Sequence, residues 1–309
     1  MRTPHTHEPA AAPAGIPGQS IVRALIETID SQGRRSADDA LAVEEPLEIR
    51  LVFCDGASIK QKSISITMRT PGHDFELAVG FLFTEGILRS PDDVANVRHC
   101  GPPAGDLKLR NVVRVELRPH VPVDLGRLER HFYTSSSCGV CGKTSIAALE
   151  VASTQCLTLD GPIIAAEAVH ALPDALRRAQ DVFEHTGGLH ASALFDTEGG
   201  LLGLREDVGR HNALDKLIGA ELFAGRLPLS QRILLVSGRA SFELVQKSLL
   251  AGIPIMAAVG APSSLAVELA KRYGMTLLGF VRNRRFNIYC GAQRIADHAT
   301  PANRQTVAP

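Results

Sequence analysis

The sequence predicts an α/β protein: a mixed, largely parallel sheet with helices on its faces, joined to a smaller β-rich N-terminal subdomain. Three observations predict it. From Leu189 to Tyr289, short apolar runs alternate with helix-length segments, the rhythm of repeated strand and helix units. Between Leu47 and Met68, apolar and polar residues alternate with the period of half-buried strands. A chain of 309 residues, 45% hydrophobic and 21% charged, is long enough for two domains or one large one around a substantial core.

In chain order, residues 1–20 are rich in Pro, Ala and His without an apolar signal-peptide core, which reads as a disordered tail on a cytoplasmic chain. A short helical pattern covers Ile21 to Asp30. Residues 21–135 form the β-rich subdomain. In it, Leu47–Phe53 and Ser63–Met68 read as strands with Asp55-Gly56 between them, a hairpin signal. Phe75–Leu88 reads as an apolar helix with Glu76 and Glu85 on a solvated face, and Asn111–Arg118 alternates again as a strand.

Residues 136–292 form the α/β domain. Its strands are Leu189–Phe195, Leu201–Leu204, Ile233–Val236, Ile255–Val259 and Met275–Val281, with a continuation over Arg285–Tyr289. Its helices are Asn212–Phe223, Phe242–Ala251 and Ser264–Tyr273, and residues 293–309 make a second disordered tail. Such sheets bind ligands in a crevice at the carboxyl ends of their strands, so the turns there carry the functional reading. One runs Arg205-Glu206-Asp207-Val208-Gly209-Arg210-His211-Asn212, the next Ser237-Gly238-Arg239-Ala240-Ser241, and a third Gly260-Ala261-Pro262-Ser263-Ser264. Gly209 and Gly238 permit close approach, Arg210 and Arg239 offer guanidinium forks, and His211, Ser237 and Ser263 add polar groups at helix starts. Together these suit an anion. Ser241, Ser263 and Ser264 equally suit helix capping, and the glycines equally suit tight turns. His190, Asp207, Asp215 and Lys216 are further candidates to line the crevice, with Lys216 and His211 open to a helix-surface reading. Phe280-Val281-Arg282-Asn283-Arg284-Arg285 fits either a solvated hairpin tip or a clamp on a diphosphate with a purine stacked beside it.

The most reactive-looking stretch is Ser136-Ser137-Cys138-Gly139-Val140-Cys141-Gly142-Lys143, two thiols in a small-residue loop before a helix-like run over Thr144–Ala152. A thiolate is the reactive form of cysteine, and a helix N-terminus or a neighbouring Lys143 favours it. Structural zinc, a dithiol redox pair and sulfur handling all use such spacing. Zinc lacks the second half of its ligand set, because Cys54, Cys100, Cys156 and Cys290 stand singly and read as small buried hydrophobes. Thirty-three basic residues balance thirty-three acidic ones, so no global field favours nucleic acid or an anionic membrane.

These blocks, with Thr186-Gly187-Gly188-Leu189-His190-Ala191 and Ser237 to Lys247, closely resemble the FdhD family of formate dehydrogenase accessory sulfurtransferases, in order from Leu47 to Tyr289. The resemblance implies a cytidine-deaminase-like fold and a homodimer. It implies that sulfane sulfur comes from an L-cysteine desulfurase onto Cys138, with Cys141 assisting. The sulfur then passes to the bis-molybdopterin guanine dinucleotide form of the molybdenum cofactor, bound as substrate with Phe280–Arg285 in contact, for apo-formate dehydrogenase. It implies no permanent metal. The rival is a cofactor-binding chaperone whose thiols only shield the metal ligand. Zinc-dependent deamination is disfavoured, because its H-x-E and later P-C-x-x-C signature is met here by His190-Ala191-Ser192 and a cysteine pair that comes first.

Overall fold

A computed structural model describes residues 20–56, 58–123, 157 and 161–297. Ile21–Asp30 (β1) and Gly33–Ala42 (β2) pair as a two-stranded antiparallel ribbon, where a helical pattern is expected over Ile21 to Asp30. The spacing of Ile21, Leu25 and Ile29 suits a helix stripe, but it suits one face of a strand equally well. Branched Ile, Val and Thr side chains favour the strand. The turn decides it: the Gln32 amide donates to Asp30 Oδ1 at 2.8 Å, and Gly33 takes a φ of 116°.

Glu45–Asp55 (β3) and Ser58–Arg69 (β4) make the expected hairpin. Val94–His99 (β5), a strand the sequence reading misses, and Val112–Leu117 (β6) complete a four-stranded sheet in the order β4-β3-β6-β5. The helix expected at Phe75–Leu88 is Asp74–Thr84 (α1), which covers one sheet face by packing Leu77, Ala78 and Leu82 against Leu47, Ile49, Val113 and Val115.

The second sheet follows two further missed helices, Ala166–Ala179 (α2) and Asp181–Thr186 (α3). Its strands are His190–Phe195 (β8), Leu201–Asp207 (β9), Ile233–Val236 (β10), Ile255–Ala258 (β11), Thr276–Arg282 (β12) and Arg285–Cys290 (β13). They lie in the order β13-β12-β11-β10-β8-β9. Only β10, β11 and β12 pair in parallel; β8, β9 and β13 join antiparallel, so the sheet is mixed with a parallel centre. Arg210–Phe223 (α4), Phe242–Leu250 (α5) and Ser264–Arg272 (α6) cover one face, and α2 covers the other.

Ile164–Ala165 (β7) pairs in parallel with Ile295–Ala296 (β14), so the segment from Gln293 onward does not begin a tail. Arg294 is 1% exposed and donates to the Gly274 carbonyl at 2.8 Å, which ties that segment to the main sheet. The tail expected over residues 1–20 and the rest of the C-terminal one lie almost entirely outside the described residues, Ser20 being ordered by a 2.8 Å bond to the Pro71 carbonyl.

The two sheets meet through α1 and α4. Gly80 and Gly219 face each other's helix so closely that a methyl group at either would overlap the Asp215 or the Glu76 carbonyl. Ion pairs flank that contact. Glu76, expected on a solvated face, is buried and accepts from Arg205 Nε at 2.5 Å and Nη2 at 2.9 Å. Asp215 accepts from Thr84 at 2.9 Å and from Lys247 at 2.8 and 2.9 Å. Burial drives those polar groups to find each other, since an unpaired charge in this interior would be costly.

Candidate functional site

Strands β9 to β12 all run the same way, so their carboxyl ends share one edge of the sheet with the start of antiparallel β8. Backbone bonds zip the loops at that edge together. Ser237 N donates to the Ala191 carbonyl at 3.0 Å, Gly260 N to Gly238 O at 2.9 Å, Ser263 N to Ala240 O at 3.0 Å, and Phe280 N to Gly260 O at 3.0 Å. The row therefore runs from His190 through the Ser237-Gly238-Arg239 turn to Phe280 and the β12–β13 hairpin, which gathers the sequence-predicted turns into one continuous rim.

Each turn has a physical reason for its shape. Asp207 ends β9 and accepts from Gly209 N at 2.8 Å and Asn212 Nδ2 at 3.0 Å, which folds the chain into α4. Its other oxygen lies 2.7 Å from Lys216 Nζ, and Lys216 also donates to the Thr70 carbonyl at 2.8 Å. Asp207 is 0% and Lys216 1% exposed, so neither lines the crevice, and Lys216 is no surface residue. They brace the turn from beneath. Asp215 is likewise committed to Lys247 and Thr84.

Above that brace, Arg210 and His211 open α4. His211 Nε2 lies 2.8 Å from Glu243 Oε2 and 3.4 Å from Ser241 Oγ. The bond from His211, aided by Arg210 and Lys247, holds the Glu243 carboxyl below its usual range against the opposing effect of burial. Both His211 contacts use one ring nitrogen, which is not the two-nitrogen relay of a hydrolase triad. Glu243 is a site residue that the sequence reading leaves without a role. Its signal is a carboxylate two residues past the capping Ser241, in the first turn of α5.

His190 faces this group. Burial first, then Arg210 and His211, push its imidazole below the ordinary value of 6.5, which favours the neutral ring at neutral pH. Gly238 lies against this ring, where a Cβ would sit 3.4 Å from His190 Nδ1, an ordinary contact distance. Ser237 accepts from the Ala191 amide at 2.9 Å and Ser263 from Ala266 N at 3.2 Å, so both hydroxyls serve the scaffold. The capping reading holds for Ser263 and for Ser241, which accepts from Leu244 N.

At the far end, Asn283 and Arg284 adopt φ of 53° and 52°, the two-residue turn that lets Arg282 pair with Arg285. All four side chains are exposed at the tip of the β12–β13 hairpin. The tip is also concave: Phe280, Arg282, Asn283 and Arg285 line a cavity of 230 Å³, with the Arg282 guanidinium 5.6 Å from the Phe280 ring centroid. Val281 does not belong with them. It is 1% exposed and packs into the core on the α2 side.

Cys138 and Cys141, with the helix expected over Thr144–Ala152, lie outside the described residues, as does Cys156. Cys54, Cys100 and Cys290 are half-buried free thiols rather than fully buried ones, and burial pushes the Cys290 thiol up. Among the described residues, no three His, Cys, Asp or Glu side chains converge as a metal would need, and no helix is long and apolar enough to cross a membrane.

Comparison with known proteins adds to this geometry. The sequence profile of the FdhD/NarQ family matches residues 42–296. The sulfur carrier protein FdhD of Streptomyces avermitilis is 52% identical over 266 residues, covering 85% of this chain and 92% of its own. That of Mycobacterium tuberculosis is 51% identical over 262 residues, covering 83% and 92%. That of Anaeromyxobacter dehalogenans is 45% identical over 295 residues, covering 93% and 96%. A crystal structure of a putative formate dehydrogenase accessory protein from Desulfotalea psychrophila shares the fold, with a TM-score of 0.68 at 24% identity over 89% of this chain and 99% of that one.

Proposed function

The chain belongs to the FdhD/NarQ family, and from that premise we propose that it carries sulfur to a molybdenum cofactor during maturation of formate dehydrogenase. The observation that carries this reading is the zipped rim at the carboxyl edge of the sheet. It sets Arg210, Arg239 and two α-helix N-termini in a row with a concave, arginine-lined hairpin tip. Guanidinium forks and free helix amides suit diphosphate, and the Phe280 ring beside Arg282 suits a guanine face. A bis-molybdopterin guanine dinucleotide offers both groups, and it enters as substrate.

Cys138 is the carrier in this reading. Its thiolate attacks the outer sulfur of a persulfide on an L-cysteine desulfurase, the donor's S–S bond breaks, and the donor cysteine leaves as thiolate. Delivery of sulfur at the sulfide level needs two electrons. Cys141 supplies them by attacking Cys138 Sγ, which releases the terminal sulfur and leaves a Cys138–Cys141 disulfide for a cellular thiol to reopen. The protein works in the cytoplasm as a homodimer, receives from the desulfurase and serves apo-formate dehydrogenase.

The test is intact-protein mass after incubation with a desulfurase and cysteine. An added sulfur that reductant removes is expected on the native chain and not on Cys138→Ser, and that variant is expected to leave formate dehydrogenase inactive. Sulfur that stays on Cys138→Ser, or full activity with it, overturns the assignment.

A further inference from the structure

The β1–β2 ribbon lies outside both larger sheets. Among the described residues it pairs with no other strand, and the helix that packs on it, α3, does so against β2. An isolated two-stranded ribbon is marginally stable in water, and a free edge invites another strand. Here the edge is β1, which carries Leu25 at 77% and Ile29 at 68% exposure. All of the ribbon except Ala42 also precedes the match to the family profile, which begins at residue 42.

The pattern along β1 says which strand fits. Ile21, Arg23, Leu25, Glu27 and Ile29 fall on one face by the two-residue period of a strand. They are symmetric about Leu25 in size and opposite in charge. We infer that β1 pairs antiparallel with β1 of a second copy of this chain, on a two-fold axis through Leu25, to make a four-stranded β2-β1-β1-β2 sheet across the dimer. That register sets Leu25 opposite its own counterpart, Arg23 opposite the second copy's Glu27, and Ile21 opposite the second copy's Ile29, each pair occurring twice except the central one. On the other face it sets Ala24 opposite Ile26 and Val22 opposite Thr28.

The competing registers fail. Sliding by two residues either way sets Leu25 against Glu27 or Arg23 and breaks every charge match, while a slide by one is forbidden by the two-fold axis, which keeps each face on its own side. Charges on an edge strand normally discourage strangers. Spaced evenly about Leu25, these two admit a copy of themselves. Glu27 now lies 3.3 Å from Arg34 within the ribbon, but both side chains are mostly exposed, so that pair is weak and exchanges readily for Arg23 of the second copy.

The inference rests on the homodimer reading, and sedimentation equilibrium on the full chain separates the two. The native chain is expected to be a dimer. Glu27→Arg and Arg23→Glu, each placing like charges opposite one another twice, are expected to raise the dimer dissociation constant about tenfold or more. The double variant Arg23→Glu with Glu27→Arg restores both matches and is expected to return close to the native constant, although it does not restore the bond to Arg34. A monomeric native chain overturns both the homodimer reading and this surface. A dimer that neither single reversal weakens, or a double variant no tighter than the singles, overturns the β1 pairing and leaves the homodimer standing.

Discussion

Lys216 shows how far a residue's type can mislead about its place. In the run Asp207 to Lys216, acids, an arginine, a histidine and a lysine stand in a pattern that suggests chemistry, yet Asp207, Asp215 and Lys216 are buried and matched one to one with interior partners. Only Arg210 and His211 reach the rim. Nothing local in the sequence separates the two groups, because beyond the Asp207–Lys216 pair itself the partners of the buried ones, Thr70, Thr84 and Lys247, come from other parts of the chain. Removing one side of such a pair strands the other in a dry interior, so Lys216→Met is expected to cost about 3 kcal/mol in urea unfolding. The arginines at the hairpin tip behave differently. They are exposed and structurally dispensable, so replacing Arg282 and Arg285 together by alanine is expected to leave the unfolding midpoint within about 0.5 kcal/mol. Calorimetry is expected to show GDP binding weakened about tenfold or more by the same change, which loses two charge-assisted contacts. Unchanged GDP affinity would remove the tip from the cofactor site.

At the scale of elements, the strand and helix rhythm after Leu189 was legible because buried β10 and β11 are short apolar runs bounded by glycine or proline turns, and each following helix has a serine cap. The ribbon was not, since a four-residue apolar spacing satisfies both periods and only the turn at Gly33 separates them. Helix α2 hides behind Pro173, which sits inside it and reads as a helix breaker. The approach of α1 to α4 was also beyond reach: glycine in a helix reads as a weakness until a second backbone is seen against it. Gly219→Ala is the test of that contact. Its methyl group meets the Glu76 carbonyl, so the helices must part, and a loss of about 2 kcal/mol or more is expected from denaturant unfolding, where an ordinary helical glycine would gain.

On the scale of the whole molecule, equal numbers of acids and bases conceal a one-sided dependence on pH. Burial alone would raise the Asp74 carboxyl, but bonds from His99 and Arg69 outweigh it and hold the group at about 2, below its ordinary 3.8. Glu76 is held low in the same way by Arg205 and His73. A carboxyl depressed by folding stabilises the native state above its unfolded pKa, and that contribution is lost as pH falls through the folded value. Asp74 alone therefore accounts for on the order of 2 kcal/mol that disappears between about pH 4 and pH 2. Denaturant midpoints are expected to fall across that window, and Asp74→Asn is expected to flatten the slope. The cysteine pair that dominates the sequence lies outside the described residues. The clasp of α1 against α4 has one more outcome. Because each sheet grips the other through its own helix, two polypeptides made by a single protease cut between Val123 and Gly161 are expected to migrate still as one particle.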